Sequence, residues 1–159
     1  MNLLLDQSDQ YVVLEHVDHV RSQLKAITKT PWYDITVNLA GKVNEDNTFK
    51  LYSKLSFGID VFNMPQNTAI ITGKLEPKDG EQTIIHAEVR PNYFVLFALY
   101  FILIIFAFKL VDFMISGRQD WIFTILLFML FIILRSFIHF SIGRLKNRFE
   151  RIMSITPEE

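Results

Sequence analysis

Cysteine is absent from the 159-residue chain. That removes disulfides, thiolate metal sites and cysteine nucleophiles, and it agrees with a reducing compartment. Glycine is scarce, six residues with no two adjacent. A phosphate-cradling loop, a dinucleotide fingerprint and a G-x-S-x-G elbow are therefore all missing. Charge of either sign is not in excess: 16 Lys and Arg stand against 17 Asp and Glu, a formal net charge of −1. Nucleic acid as a partner needs a basic stripe and is not expected. The opening "MNLLLDQSDQ" has no basic segment and no apolar core of signal-peptide length, so the first domain is not expected to be exported.

What the chain does have is unevenly placed. Twelve of its fifteen Phe lie between Phe94 and Phe149. Residues 1–90 carry nine Lys or Arg and twelve Asp or Glu, whereas 91–159 carry seven and five. From Tyr93 to Phe108, "YFVLFALYFILIIFAF" is sixteen residues without a charge. Extending through Lys109 to Val111 gives the roughly 20 residues that cross a bilayer core of about 30 Å. Lys109 then reaches a boundary with its amine, and Asp112, three residues on, shares its helix face and can pair with it. "SGRQD" is a short turn, and Trp121 opens a second apolar run to about Ile142. Two such runs with so short a connection form an antiparallel hairpin, expected over about 92–115 and 121–142 within a segment 91–143.

Arg135 interrupts the second run, in "FMLFIILRSFIHF". An intramembrane charge costs at least about 2.5 kcal/mol at the centre of a helix. Either Arg135 snorkels to the headgroups or the span ends early, or it faces the other helix or another protomer across a polar seam. His139, four residues on, shares its face, and Tyr100 of the first run comes to about its depth. No carboxylate stands there, which gives a proton or ion pathway little support.

Behind the second run, Arg144, Lys146, Arg148 and Arg151 cluster in "GRLKNRFER". By the positive-inside rule both termini are then cytoplasmic and the chain is a multi-pass protein of the inner (plasma) membrane. Ile142, Leu145, Phe149 and Ile152 recur at helical spacing among these cations, so residues 144–159 read as a basic amphipathic tail able to lie on anionic headgroups, or as a plain topology determinant.

The first ninety residues read as a helix and four strands. Val13, Val17, Val20, Leu24 and Ile27 form one apolar stripe, which predicts a helix over 9–28 with Ser8 as its cap. From Tyr33 the period changes to two. "YDITVNLAGKV" and "TFKLYSKLSF" flank the turn "NEDN", and "AIITGKL" and "TIIHAEV" flank "PKDG", which predicts two β-hairpins. The expected fold is α+β: an N-terminal helix on a four-stranded antiparallel sheet over 1–90, followed by the transmembrane hairpin. The face away from the helix carries Tyr52, Ile70 and Ile84 with Thr36 and His86. With Phe62 of the loop "GIDVFNMPQN", the first three form a candidate partner patch.

Nothing in the chain asks for catalysis. His16 and His19 sit three apart beside Glu15 and Asp18, whereas metallohydrolase helices use a spacing of four with a third ligand elsewhere. A solvated helix face is the simpler account, and no metal, cofactor or small-molecule substrate is identified. In layout, "LAGKVNEDNTFKLYSKLSF", "ITGKLEPKDGEQTIIHAEVRPNYF" and the hairpin after them resemble small, largely uncharacterised bacterial inner-membrane proteins. In those proteins a β-rich cytoplasmic module, with a glycine-containing strand before each turn, runs into a pair of membrane helices. The resemblance carries over no activity and no functional residues.

Two functional classes follow. One is a membrane-anchored, non-enzymatic interaction or assembly module whose partners are the bilayer and a homo-oligomer or larger membrane complex. The other is an accessory or pore-forming transport subunit with a polar seam at Arg135 and His139. An enzyme using His16 and His19 ranks behind both.

Overall fold

The computed structural model describes residues 6–29, 38–53, 68–78, 81–116 and 121–153. Its elements run β1 (Gln7–Val13), α1 (Val17–Lys29), β2 (Leu39–Val43), β3 (Thr48–Ser53), β4 (Ala69–Lys78), β5 (Gln82–Pro91), α2 (Tyr93–Ser116) and α3 (Trp121–Met153). Period-two alternation places β2 to β5 as expected. Leu39, Phe49, Leu51, Ile71, Leu75, Ile85, Ala87 and Val89 are buried, and their neighbours in sequence are more open. Tyr33, Ile35, Thr36 and Val37, and Leu55, Phe57 and Phe62, lie outside the described residues.

The sheet has five strands rather than four, all antiparallel, in the order β1-β5-β4-β3-β2. The extra strand comes from residues that the apolar stripe assigned to the helix. Val13 fits a helical step to Val17, but Asp9, Tyr11 and Val13 also fit a strand. Tertiary pairing decides between them. β1 hydrogen-bonds along β5 from Gln7↔Val89 to Val13↔Thr83, converting what would be a ten-residue open edge into an interior strand. The helix therefore starts at Val17, and His16 rather than Ser8 precedes it. The His16 carbonyl accepts from the amides of His19 and Val20, and its Nδ1 accepts from Asp18 N at 3.3 Å. Thr83 Oγ1 donates to the Glu15 carbonyl at 2.7 Å, which ties this corner to β5.

Both glycines that precede the hairpin turns have a steric reason. A Cβ at Gly41, where φ is +154°, would lie 2.0 Å from the Lys50 carbonyl oxygen. At Gly73 it would lie 2.3 Å from the His86 carbonyl oxygen and 2.4 Å from Phe49 Cζ. Gly73 faces the core directly across from Phe49, so its missing side chain is the space the Phe49 ring occupies. In the first turn Asn47 takes φ of 64°. Asp46 Oδ1 accepts from Thr48 N at 3.1 Å and from Thr48 Oγ1 at 2.7 Å, and these bonds hold the Asp46 carboxyl below its usual range.

Among the described residues, helices cover one face of the sheet and no helix covers the other. α1 lies mainly over β2, and α3 lies over β4 and β5. Val20 and Leu24 of α1 join Ile138, Ile142, Leu145, Phe149 and Met153 of α3 in one core with the inward residues of the sheet. Phe149 is the centre of the α3 contact. Its ring stacks on Phe49 at 5.9 Å and tilts against Tyr11 at 6.1 Å.

Among the described residues, two helices are long and apolar enough to cross a membrane, Tyr93–Ile115 and a stretch within Ile122–Met153. Only 11% of the most apolar window of each is buried in the fold. The core helix of a water-soluble domain would instead be mostly covered; surfaces this open suit a bilayer or another apolar surface. α3 does not stop near Ile142. It continues unbroken for 33 residues, about 50 Å, and its last turns are the second helix on the sheet. The apolar stripe expected to rest on headgroups is therefore packed on β4 and β5. Because α3 lies along the sheet, the plane of the sheet runs alongside the axis of α3.

Candidate functional site

The candidate site is the junction where sheet and hairpin meet. β5 passes into α2 through one residue, Asn92. Its carbonyl accepts from the amides of Val95 and Leu96 at 3.0 Å each, its Oδ1 accepts from Phe94 N at 3.1 Å, and its own amide donates to Thr68 O at 3.0 Å. Asn92 thus caps the helix and pins its first turn to the start of β4. Arg90, the last outward residue of β5, donates from Nη1 to the Tyr93 hydroxyl at 2.7 Å and lies 5.0 Å from that ring's centroid. Sequence reasoning passed over Arg90; a cation ahead of a Tyr at the start of an apolar run is the signal that marks it.

The two helices are in register. Phe106 meets Phe128 with centroids 6.2 Å apart, and the Lys109 ammonium lies 5.4 Å from the Phe123 centroid. Counting from these pairs towards the sheet, Arg135 is level with Phe97 to Leu99 and Tyr93 with Phe140. Tyr100 therefore comes near the expected depth. It is half-buried, as is Arg135, while His139 is exposed. Among the described residues no ion pair or hydrogen bond joins Arg135 to Tyr100 or to a carboxylate. Ile138, between Arg135 and His139 in sequence, is the fully buried side chain of that turn, so the two basic residues flank the core stripe rather than occupy it. Asp112 stands three residues from Lys109 and is exposed.

The four cations of the tail divide into two pairs. Lys146 Nζ contacts Asp9 Oδ1 at 2.8 Å and approaches Glu150 Oε1 at 3.9 Å. Arg148 Nη1 donates to Ser53 Oγ at 3.2 Å and to the Asn38 carbonyl at 3.4 Å. Burial, and after it the charges of Arg144 and Arg151, lower the Arg148 pKa from its ordinary value. Arg144 and Arg151 are exposed, and the Arg144 guanidinium lies 5.2 Å from the Phe140 centroid.

A polar latch completes the contact between α3 and the sheet. Tyr11 donates its hydroxyl to Glu150 Oε1 at 2.8 Å, beside the Lys146–Asp9 pair. Burial, and then the bond to Glu150, raise the Tyr11 phenol pKa well above its ordinary value. Asp9 Oδ2 is enclosed and has no hydrogen-bond partner. The sequence could not announce this cluster, because its members lie more than 130 positions apart.

On the open face, Tyr52, Ile70 and Ile84 are half-exposed. Tyr52 is directly opposite Ile70 across β3–β4. Ile84 pairs with Val12 and lies opposite Glu76. Lys74 and His86 flank Glu76, at 3.0 and 3.5 Å, and the Lys74 bond chiefly lowers the Glu76 pKa. By register this face carries Lys42, Lys50, Lys74, Lys78 and Arg90 against Glu76 and Glu88. His16 and His19 are exposed near Asp18 and Glu15, at 3.5 and 3.7 Å. Among the described residues no group of three His, Asp or Glu is placed to hold a metal ion. No family model matches the chain. No curated protein matches it either, and no solved structure does.

Proposed function

We propose that this protein is a membrane-anchored, non-enzymatic interaction or assembly module, multi-pass in the inner (plasma) membrane with both termini cytoplasmic. The observation that carries the reading is the continuity of α3, which is apolar round most of its circumference over 122–134 and then turns one apolar stripe onto the sheet. A flexible tether would let the head tumble. Here two connections, the Asn92 junction and the unbroken α3, fix the head relative to the hairpin.

That rigidity gives the head an orientation. With α3 across the bilayer at an ordinary tilt of about 20°, the sheet stands upright on the membrane. Its open face, with Tyr52, Ile70 and Ile84, looks sideways along the surface rather than down into the headgroups. A neighbour standing on the same membrane is the partner this geometry suits, either a second copy or another subunit of a complex.

Photo-crosslinking in intact cells tests the reading. A crosslinkable residue at Tyr52, Ile70 or Ile84 should give discrete adducts, and one at Ser22 or Ala26 on the outer side of α1 should not. Equal labelling from both sides would overturn a face-specific docking role. Single cysteines at Glu81 and Arg118 in this cysteine-free chain test the topology. Labelling of Glu81→Cys from outside intact cells would reverse the proposed orientation.

A further inference from the structure

We propose that Arg90 and Arg144 form a collar that binds the phosphate of anionic phospholipid headgroups on the sheet side of the hairpin. This inference rests on the reading of α2 and α3 as bilayer-spanning. Each guanidinium lies over an aromatic ring that is itself open to the surroundings. Arg90 is 5.0 Å from the centroid of Tyr93, which is 66% exposed, and Arg144 is 5.2 Å from that of Phe140, which is 59% exposed. The α2–α3 register sets Tyr93 and Phe140 at one depth, and each arginine follows its ring on the sheet side, three and four positions away. The β5–α2 passage and α3 thus both change from aromatic to cationic at the same level.

That arrangement fits an interface. Exposed Phe94, Phe97 and Phe101 on α2 and Ile133 and Phe137 on α3 continue from the rings towards the middle of the hairpin. Counting about 20 residues back along α3 from Phe140 arrives near Trp121, where the helix begins, so one bilayer core of about 30 Å fits between aromatic residues at both ends. The cation–π contacts at 5.0 and 5.2 Å hold both guanidinium groups beside their rings. Arg90 uses Nη1 on Tyr93 and its Nε is enclosed, so Nη2 is the donor it can turn outward. Among the described residues no acceptor engages Arg144. The other tail cations differ, because Lys146 and Arg148 already bond to Asp9 of β1, to Ser53 of β3 and to the Asn38 carbonyl just before β2. The two non-bridging oxygens of a phosphate diester are acceptors of the kind an arginine guanidinium pairs with.

The full chain, reconstituted in nanodiscs of phosphatidylcholine with a minority of phosphatidylglycerol and released for native mass spectrometry, should retain phosphatidylglycerol over phosphatidylcholine. A surface cation contributes roughly a fivefold preference, so Arg144→Gln should reduce the enrichment about fivefold and Arg90→Gln/Arg144→Gln about 25-fold. Arg151→Gln, exposed and about 16 Å further along α3 than Phe140, should leave it unchanged. Inorganic phosphate at millimolar concentration should not displace the lipid; if it does so, the site is one for free phosphate. No enrichment in the unaltered chain, or full enrichment in Arg144→Gln, overturns the collar. Carbonate extraction separates this from the underlying reading. A chain that remains in the membrane without lipid preference defeats the collar alone, whereas one that carbonate releases defeats the spanning hairpin.

Discussion

Truncating Phe149 to alanine is the sharpest perturbation of this fold. Its side chain is 1% exposed and lies between Phe49 and Tyr11, with centroids 5.9 and 6.1 Å away. Removing a buried phenyl costs about 3–5 kcal/mol, and two aromatic contacts place this site towards the upper half of that range. Gly73 cannot grow into the gap, and the Phe49 ring is already wedged against it, so little relaxation is available. A loss of about 4 kcal/mol is a large share of the 5–15 kcal/mol that holds an ordinary domain. With a urea dependence of roughly 1–2 kcal/mol per molar for a head of this size, the midpoint should fall by about 2–4 M. The assay is urea-dependent proteolysis of the head in nanodiscs, followed at β4 and β5, with the hairpin protected by lipid throughout. Were the last turns of α3 resting on headgroups instead, Phe149→Ala would weaken surface association and leave the sheet intact. A midpoint within about 0.5 M of the parent would refute the packing of α3 on the sheet.

Three further outcomes follow from the same contacts. Gly73→Ala drives a methyl into the His86 carbonyl and the Phe49 ring, and should cost about 1–3 kcal/mol by overpacking, read in the same urea assay. The Asp46 and Glu76 carboxyls have depressed pKa values in the folded state, through bonds from Thr48 and from Lys74 respectively. Their contribution is present above the ordinary carboxylate range and is lost as pH falls through the folded values; Asp46→Asn/Glu76→Gln should flatten the acid limb of stability against pH. Tyr11 has the opposite sign, since its phenol pKa is raised. Its contribution is full below the ordinary tyrosine value of about 10 and declines as pH rises beyond it, so Tyr11→Phe should remove part of the alkaline limb.

Much of this architecture was legible in the residues, and what was not has physical causes. The two hairpins declared themselves because alternation has a short period and the turns are local: "NEDN" closes on itself through Asp46 and Thr48. β1 did not, because seven residues are too few to separate a period of two from one of 3.6 when Val13 satisfies both. Its pairing with β5, at least 70 positions away, decides the matter. Helix starts have the same weakness: Ser8 has the chemistry of a cap, but His16 occupies the position where the backbone turns. At the junction, Arg144 was visible as a cation behind an apolar run. The division of labour between Arg144 and Lys146 was not, since it depends on which side of α3 the sheet covers.

The extension of α3 shows why apolar periodicity alone cannot name the solvent of a helix. Lipid and a β-sheet are both apolar, and Ile142, Leu145 and Phe149 would suit either. What distinguishes them is how much of the circumference is apolar. Over 122–137 nearly every position is apolar, and the large side chains Ile122, Phe123, Ile125, Leu126, Phe128, Met129, Leu130, Ile132, Ile133 and Phe137 are exposed in the fold. Over 141–151 Ser141, Arg144, Lys146, Asn147, Arg148, Glu150 and Arg151 occupy the remainder of the circle. Arg144, Asn147 and Arg151 are exposed on that side while the opposite stripe is buried against the sheet, so on the proposed spanning reading this is where α3 leaves the bilayer. Wherever a spanning helix narrows from an apolar cylinder to an apolar stripe without a break, the same two-part division should hold, with the boundary at the first exposed cation, here Arg144.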